Sequence, residues 1–252
     1  MTRKKEKHNL HHRPSFDALN CRIIGKGFIE SVPIIISVFA FGLIFGVLAT
    51  KSGLTIFEIA IMCVIVLAGM SQFAALPLFA AHVNPLAIIG TTFIINMRHL
   101  IMGASISRFF SSRKVIPRMV AAYFLIDESF AMASAYAEKE GERLPRDGDY
   151  VRDYLIGAGL AVTVSWSLSS CIGGIFGNFL GDPKRLGLDF AIAAAFLGLL
   201  APQIKKKQDV LVMLVSVILS VSLFVMLPGS WYILGASLVA SLIGAVGESY
   251  EN

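Results

Sequence analysis

The stretch FIINMRHLIMGAS, Phe93 to Ser105, places an arginine and a histidine inside an apolar run. A charged side chain in a lipid-facing position costs roughly 2.5–3.5 kcal/mol even on the lenient insertion scales. Because the apolar sequence continues beyond Arg98 and His99, the guanidinium has no short route to water. The stretch therefore predicts a helix that faces the interior of a bundle and that needs a partner for its charge.

The overall composition is that of an integral membrane protein. Of the 252 residues, 56% are hydrophobic and only 15% are charged, against roughly 25% charged residues in soluble domains. Continuous apolar runs, rather than alternating ones, exclude a strand barrel and predict an all-α bundle. The length allows about 6–8 membrane segments.

Eight apolar runs mark the candidate helices. They lie at residues 29–50, 56–81, 85–106, 119–137, 154–180, 190–204, 210–227 and 231–246. The second run is interrupted by GMSQFAALP, with Ser71, Gln72 and Pro77 near its centre. The sixth run is shorter than the roughly 20 residues that a span needs. We expect both runs to form broken or half-spanning helices.

The positive charges serve as topology signals rather than as a nucleic-acid surface. The net charge of +5 comes from the N-terminal segment and from short loops between apolar runs, where membrane topology places lysine and arginine. Residues 1–26 are predicted to be a basic cytoplasmic tail and residues 27–252 a single membrane domain. The tail lacks the apolar run and cleavage site of a signal peptide, and three cysteines imply no disulfide framework.

The chain also repeats itself. GLIFG at Gly42 to Gly46 returns as GGIFG at Gly173 to Gly177, and at the same offset Gln72 matches Gln203. The pattern predicts two structural repeats, at about 27–137 and 154–247. The positive-inside rule favours re-entrant Gln-bearing segments and an inverted repeat over a parallel one, so that Gln72 and Gln203 face each other across a central site.

Small and aromatic residues on the helices are given ordinary packing roles. The two G-x-x-x-G pairs are typical of close-packed helix faces. Trp166, Trp231 and Tyr232 are interpreted as packing or interface aromatics.

The fourth run supplies acidic partners for the charge in the third. Asp127 and Glu128 lie near its centre, and a buried carboxylate and guanidinium can satisfy each other where neither could stand alone. We predict a pair of Arg98 and Asp127. His99, whose unperturbed pKa lies near 6.5, can exchange protons at cellular pH. Two alternatives stay open: a purely structural lock between helices and a hydrogen-bonded structural role for His99.

No enzyme signature is found in the sequence. It has no P-loop, no paired metal-ligand motif and no nucleophile elbow. The sequence therefore predicts neither an enzyme nor a cofactor or metal site.

The motifs AGMSQFAAL, NMRHLIMGASIS and LIDESFAMA occur in this order. With them the sequence resembles the AzlC family, the large permease subunit of two-component branched-chain amino acid exporters, from about Gly27 to Lys207. The resemblance implies a multi-pass protein of a bacterial inner (plasma) membrane that exports branched-chain or other apolar amino acids with a small AzlD-like membrane subunit. Members of the family usually carry a small residue at the position of Met70, so the thioether changes the volume beside the site.

The residues and the resemblance agree on a secondary transporter, which we expect to be proton-coupled. The candidate substrate-binding or coupling residues are Ser71, Gln72, Asn96, Arg98, His99, Asp127, Glu128 and Gln203. Two other functions stay open: a passive channel for a small solute and a non-transporting membrane scaffold.

Overall fold

A computed structural model describes residues 19–110, 114–140, 149–179 and 207–226, together with positions 197, 204, 236, 239, 240 and 243. Within these residues every regular element is helical, which confirms the predicted all-α class. The sixth and eighth apolar runs lie outside the described residues, apart from isolated positions.

The helices follow the apolar runs, but several runs are divided in two. In chain order the helices are α1 (Cys21–Glu30), α2 (Val32–Lys51), α3 (Ile56–Ile65), α4 (Gly69–Ala80), α5 (Pro85–Asn96), α6 (Arg98–Ser107), α7 (Val115–Tyr123), α8 (Asp127–Glu140), α9 (Tyr150–Phe179) and α10 (Lys207–Met226). The first helix begins within the segment predicted to be a tail. The second, third and fourth runs each contain two helices.

Local sequence signals explain where two of these helices begin. Thr55 and Glu58 form a capping box at the start of α3, with the Thr55 hydroxyl 2.8 Å from a Glu58 carboxylate oxygen. Such a box satisfies two of the backbone N–H groups left free at a helix start. At α5, the Asn84 side chain accepts from the Leu86 N–H at 2.9 Å, and Pro85 occupies the first helical position, where its missing N–H costs nothing.

Four stretches of the described residues are long and apolar enough to cross a membrane. They are Val32–Lys51, Pro85–Ser107, Tyr150–Phe179 and Asp209–Met226. The second of them contains both α5 and α6, which are separated by a turn at Met97. This finding supports a membrane protein, and the full count of 6–8 segments stays a prediction.

The helices group into two compact units. Unit 1 contains the described residues up to Ile35 together with His99–Thr163, and unit 2 contains Ile36–Arg98 and the described residues from Val164 onward. Each unit combines chain from both predicted repeats. The repeats themselves stay a prediction.

Glycines bring α2 and α9 into backbone contact in unit 2. A Cβ at Gly46 would overlap the carbonyl oxygen of Ser170, and one at Gly173 would overlap the carbonyl oxygen of Leu43. Because backbone atoms cannot move aside, these positions tolerate no side chain. The two Gly-rich segments therefore pack against each other, as close-packed helix faces predict.

Glycines also bring α1 and α9 into backbone contact in unit 1. A Cβ at Gly27 would overlap the Tyr154 carbonyl oxygen, and one at Gly157 would overlap that of Ile24. Beside this contact the rings of Tyr136 and Tyr154 stack with centroids 4.2 Å apart. Residues of α7 and α8 pack with residues of α1 and α9 in one hydrophobic core.

Candidate functional site

The second apolar run is a broken helix, as predicted. α3 ends at Ile65 and α4 begins at Gly69, leaving residues 66–68 as the unit 2 break. Ala68 is extended, with φ −155° and ψ 96°, and its N–H donates to the Val66 carbonyl at 2.8 Å. The break interrupts the helical hydrogen bonds inside an apolar segment, where each free polar group needs a partner.

Two predicted site residues add side-chain hydrogen bonds around the break from the first turn of α4. The Gln72 side-chain N–H₂ donates to the Met62 carbonyl at 3.1 Å and to the Val66 carbonyl. The Ser71 hydroxyl donates to the Ala68 carbonyl at 2.9 Å. Both Ser71 and Gln72 are 0% exposed, so in this structure they stabilise the break. Their roles as substrate ligands stay a prediction.

The start of α4 is electropositive. Its N-cap residue makes no side-chain cap, and its first turn contains no acidic residue. A helix N-terminus carries about half a positive charge together with unsatisfied N–H groups. The Arg98 guanidinium donates from Nη1 to the Sδ of Met70, in this first turn, at 2.9 Å. A cationic side chain and a helix N-terminus therefore lie together in unit 2.

A cavity of about 660 Å³ lies among α3, α4 and α5. Its wall is mostly apolar and includes Ile61, Met62, Ile65, Phe79 and Ile88. Two of its polar residues are engaged locally: Glu58 caps α3 with Thr55, and the Thr92 hydroxyl donates to the Ile88 carbonyl at 2.8 Å. Asn96 also lines the cavity. The cavity therefore has a mostly apolar wall, with the Asn96 amide among its polar lining residues.

The fourth apolar run is broken too, which the sequence did not predict. α7 ends at Tyr123 and α8 begins at Asp127, leaving residues 124–126 as the unit 1 break. Asp127 and Glu128 therefore lie in the first turn of α8, rather than at the centre of a continuous helix. Acidic side chains in this position are stabilised by the helix dipole.

Ser129 satisfies the backbone groups of the unit 1 break. Its hydroxyl donates to the Phe124 carbonyl at 2.7 Å, lies 3.1 Å from the Ile126 carbonyl oxygen, and accepts from the Ile126 N–H at 3.0 Å. The residue is 0% exposed. The sequence analysis missed Ser129, which directly follows the acid pair Asp127 and Glu128.

The remaining predicted residues are divided between the units. Arg98 belongs to unit 2, whereas His99 and Asp127 belong to unit 1. The predicted pair of Arg98 and Asp127 therefore stays a prediction. Gln203, predicted to face Gln72, lies outside the described residues.

Unit 1 also contains a buried ionic cluster that the sequence analysis missed. Arg152 is 0% exposed; it donates to Asp153 Oδ1 from Nε at 2.9 Å and from Nη2 at 2.7 Å, and it also donates to Asp149. The Asn20 N–H donates to Asp153 Oδ2 at 2.8 Å. The signal was the i,i+3 spacing of Asp149 and Arg152, which brings two side chains together on a helix; no spacing rule predicts the contact of Arg152 with the adjacent Asp153. In the part of the chain that the structure describes, no group of three His, Cys, Asp or Glu residues is placed to hold a metal ion.

The fold and the site define a class of protein. Broken helices whose ends meet polar side chains within an apolar bundle are typical of secondary transporters. The family model described as AzlC protein matches residues 33–180, and the chain belongs to this family. Membership in this family supports membrane transport, and the absence of catalysis stays a prediction.

Individual relatives agree with this assignment. The inner membrane protein YgaZ of Escherichia coli (strain K12) is 29% identical over 205 residues, covering 79% of this chain and 81% of the relative. An uncharacterized membrane protein of Archaeoglobus fulgidus is 30% identical over 182 residues, covering 71% and 75%. The branched-chain amino acid transport protein AzlC of Bacillus subtilis (strain 168) is 25% identical over 244 residues, covering 93% and 91%. No solved structure gives a significant match.

Proposed function

We propose that the chain is a secondary transporter that exports branched-chain or other apolar amino acids. It works in a bacterial inner membrane, with its N-terminus in the cytoplasm, together with a small AzlD-like membrane subunit. The observation that carries the proposal is the contact of Arg98 with Met70 in the first turn of α4.

The contact suits the carboxylate of an amino acid. A guanidinium presents N–H donors in the planar geometry that a carboxylate accepts, and the start of α4 adds backbone N–H groups and a partial positive charge. The Arg98 guanidinium and the start of α4 are both positive, so together they favour the binding of an anion. The name of the Bacillus relative, a branched-chain amino acid transport protein, supports an amino acid as that anion.

The neighbouring cavity suits an apolar side chain. Its volume of about 660 Å³ lies within the roughly 300–1,000 Å³ range of small-molecule sites. Asn96, at the end of α5, lines the cavity and is two residues from Arg98 in the sequence. We propose that Ser71 and Gln72 position the carboxylate site in unit 2, and that Gln203 contributes from the second repeat.

Proton coupling is proposed for the residues of unit 1. His99 and the two acids Asp127 and Glu128 lie in this unit, and the acids follow its break directly. Histidine and acidic side chains inside membrane segments are the groups that form proton relays in transporters. Substrate binding is thereby assigned to unit 2 and proton exchange to unit 1.

The test is counterflow of amino acids in proteoliposomes containing the full chain and its small subunit. We expect unlabelled leucine inside the vesicles to accelerate uptake of labelled leucine, because a carrier reorients faster when loaded. Uptake without acceleration would indicate a channel, and no uptake of any amino acid would indicate a scaffold. Net flux should also respond to a pH gradient, and a flux unchanged after collapse of the gradient would contradict the proton coupling.

A further inference from the structure

Trp166 is the side chain of α9 that contacts the unit 2 break. Its indole N–H donates to the Gln72 Oε1 at 2.7 Å. Its ring stacks on Phe45 with centroids 5.5 Å apart and meets the edge of Phe73 at 6.1 Å. The indole is therefore fixed by two rings and one hydrogen bond.

The hydrogen bond fixes Gln72 in turn. Gln72 accepts from Trp166 through its amide oxygen and donates through its nitrogen to the carbonyls of Met62 and Val66. A rotation of the amide by half a turn would place the oxygen against two carbonyl oxygens and the nitrogen against the indole N–H, losing all three bonds. The bond from Trp166 thus favours the amide orientation in which Gln72 also donates to the carbonyls of Met62 and Val66.

The ring also contacts the first residue of α4. A Cβ at Gly69 would lie 3.2 Å from Cη2 and 3.4 Å from Cζ2 of Trp166, which is tighter than an ordinary van der Waals contact. The indole therefore limits how closely the start of α4 approaches α9. Two independent contacts, one to Gln72 and one to Gly69, set the position of this helix N-terminus.

We propose that Trp166 is a positioning residue for the substrate: it holds the N-terminus of α4 in its binding position through Gln72 and Gly69 and does not touch the substrate itself. The inference rests on the proposed transport of amino acids. It assigns a role in binding to a residue for which the sequence predicted only packing.

The first test compares Trp166→Phe with Phe45→Leu in counterflow of leucine by the full chain with its small subunit. Trp166→Phe keeps a ring in the aromatic stack but removes the N–H donor. We expect its KM to rise about 2- to 12-fold, the factor that corresponds to one neutral hydrogen bond. Phe45→Leu disturbs the stack without removing the hydrogen bond, and should lower the thermal midpoint with less change in KM.

A double-mutant cycle with Gln72→Ala tests whether Trp166 acts through Gln72. If it does, Trp166→Phe adds little to the KM of Gln72→Ala, because the interaction is already lost. Additive increases in KM would contradict action through Gln72.

A spectroscopic test retains the indole and so does not depend on the folding of a Trp166 variant. The sequence contains two tryptophans, so Trp231→Phe leaves Trp166 as the only tryptophan of the chain, and tryptophan fluorescence then reports on Trp166. Leucine should change the Trp166 emission with the half-saturation found in counterflow, and Gln72→Ala should abolish the change. An unchanged KM in Trp166→Phe together with an unchanged emission would overturn this inference alone. Failure of the unmodified chain to exchange any amino acid would overturn the proposed function, and this inference with it.

Discussion

The unit 2 break and the unit 1 break are stabilised by side-chain hydrogen bonds of different origin. At residues 124–126 the side chain of Ser129, from the following turn, satisfies the free backbone groups. At residues 66–68 Gln72 adds a bond to the Val66 carbonyl, and Gln72 is held by Trp166 from a distant helix. The unit 1 break is thus stabilised locally, whereas the unit 2 break depends on the position of α9.

The two breaks also differ in charge. α8 begins with Asp127 and Glu128, which compensate its N-terminal dipole by about 0.3–1 kcal/mol each. α4 begins without an acid or a side-chain cap, and Arg98 contacts its first turn through Met70. We propose that this difference suits the unit 2 break to an anionic ligand, because α8 begins with two acids whereas the first turn of α4 contains none.

The largest effect is expected from Arg98→Ala, which removes the cationic element of the unit 2 break. Hydrogen bonds to charged groups contribute about 1.5–3 kcal/mol, so kcat/KM for leucine counterflow should fall about 10- to 150-fold. Arg98→Lys keeps the charge without the planar donor geometry and should give an intermediate value. The amount of reconstituted protein and its thermal midpoint serve as controls. Normal counterflow by Arg98→Ala would contradict the proposal that the unit 2 break binds the substrate carboxylate.

A cycle of Arg98→Ala and Asp127→Ala sharpens the comparison of charge. If each residue acts directly, as we propose, the two single variants and the double variant all lose transport. Recovery of transport in the double variant would instead show that the two charges only neutralise each other.

Ser129→Ala should affect stability rather than binding, because Ser129 stabilises only the unit 1 break. Buried backbone groups left without a partner cost about 1–3 kcal/mol, so the thermal midpoint of the purified protein should fall. The KM for leucine should stay within about twofold of the unmodified value. Ser222→Ala is the matched control, since its exposed hydroxyl donates to the Ile218 carbonyl within α10, and it should leave both quantities unchanged. A raised KM with an unchanged midpoint in Ser129→Ala would contradict this division of roles.

The smallest effect is expected from Gly69→Ala. The added methyl group would meet the tip of the Trp166 ring at 3.2 Å, and a ring can shift more easily than backbone, so the cost should be only about 1 kcal/mol. We expect a modest rise in KM. Gly90→Ala in α5 is the control, because nothing lies within 4 Å of its added Cβ; alanine is favoured there by about 0.5–1 kcal/mol. Equal effects of the two substitutions would mean that the contact of Trp166 with Gly69 has no influence on binding.

The sequence predicted one of the two breaks because only one is marked by polar and helix-breaking residues. Gly69, Ser71, Gln72 and Pro77 interrupt the second run visibly. The unit 1 break lies in the apolar letters FLI, which hydropathy cannot tell from the middle of a helix, and its cap, Ser129, follows the break.

Contacts between segments far apart in the chain also could not be predicted from the sequence. The bond between Gln72 and Trp166 joins residues far apart in the chain, and no periodicity or spacing relates them. The buried cluster around Arg152 was missed for a different reason: Asp149 and Asp153 precede the apolar run predicted at residues 154–180, whereas the structure buries both at the start of α9.

The central claim is that the unit 2 break binds the carboxylate of the substrate through Arg98. The most direct measurement compares leucine with leucinamide, which keeps the side chain but lacks the carboxylate, as competitors of leucine counterflow. The unmodified protein should prefer leucine by about tenfold or more, and Arg98→Gln should bring this ratio close to one because the charge that distinguishes the two ligands is gone. An equal preference for leucine in Arg98→Gln and in the unmodified protein would contradict the account.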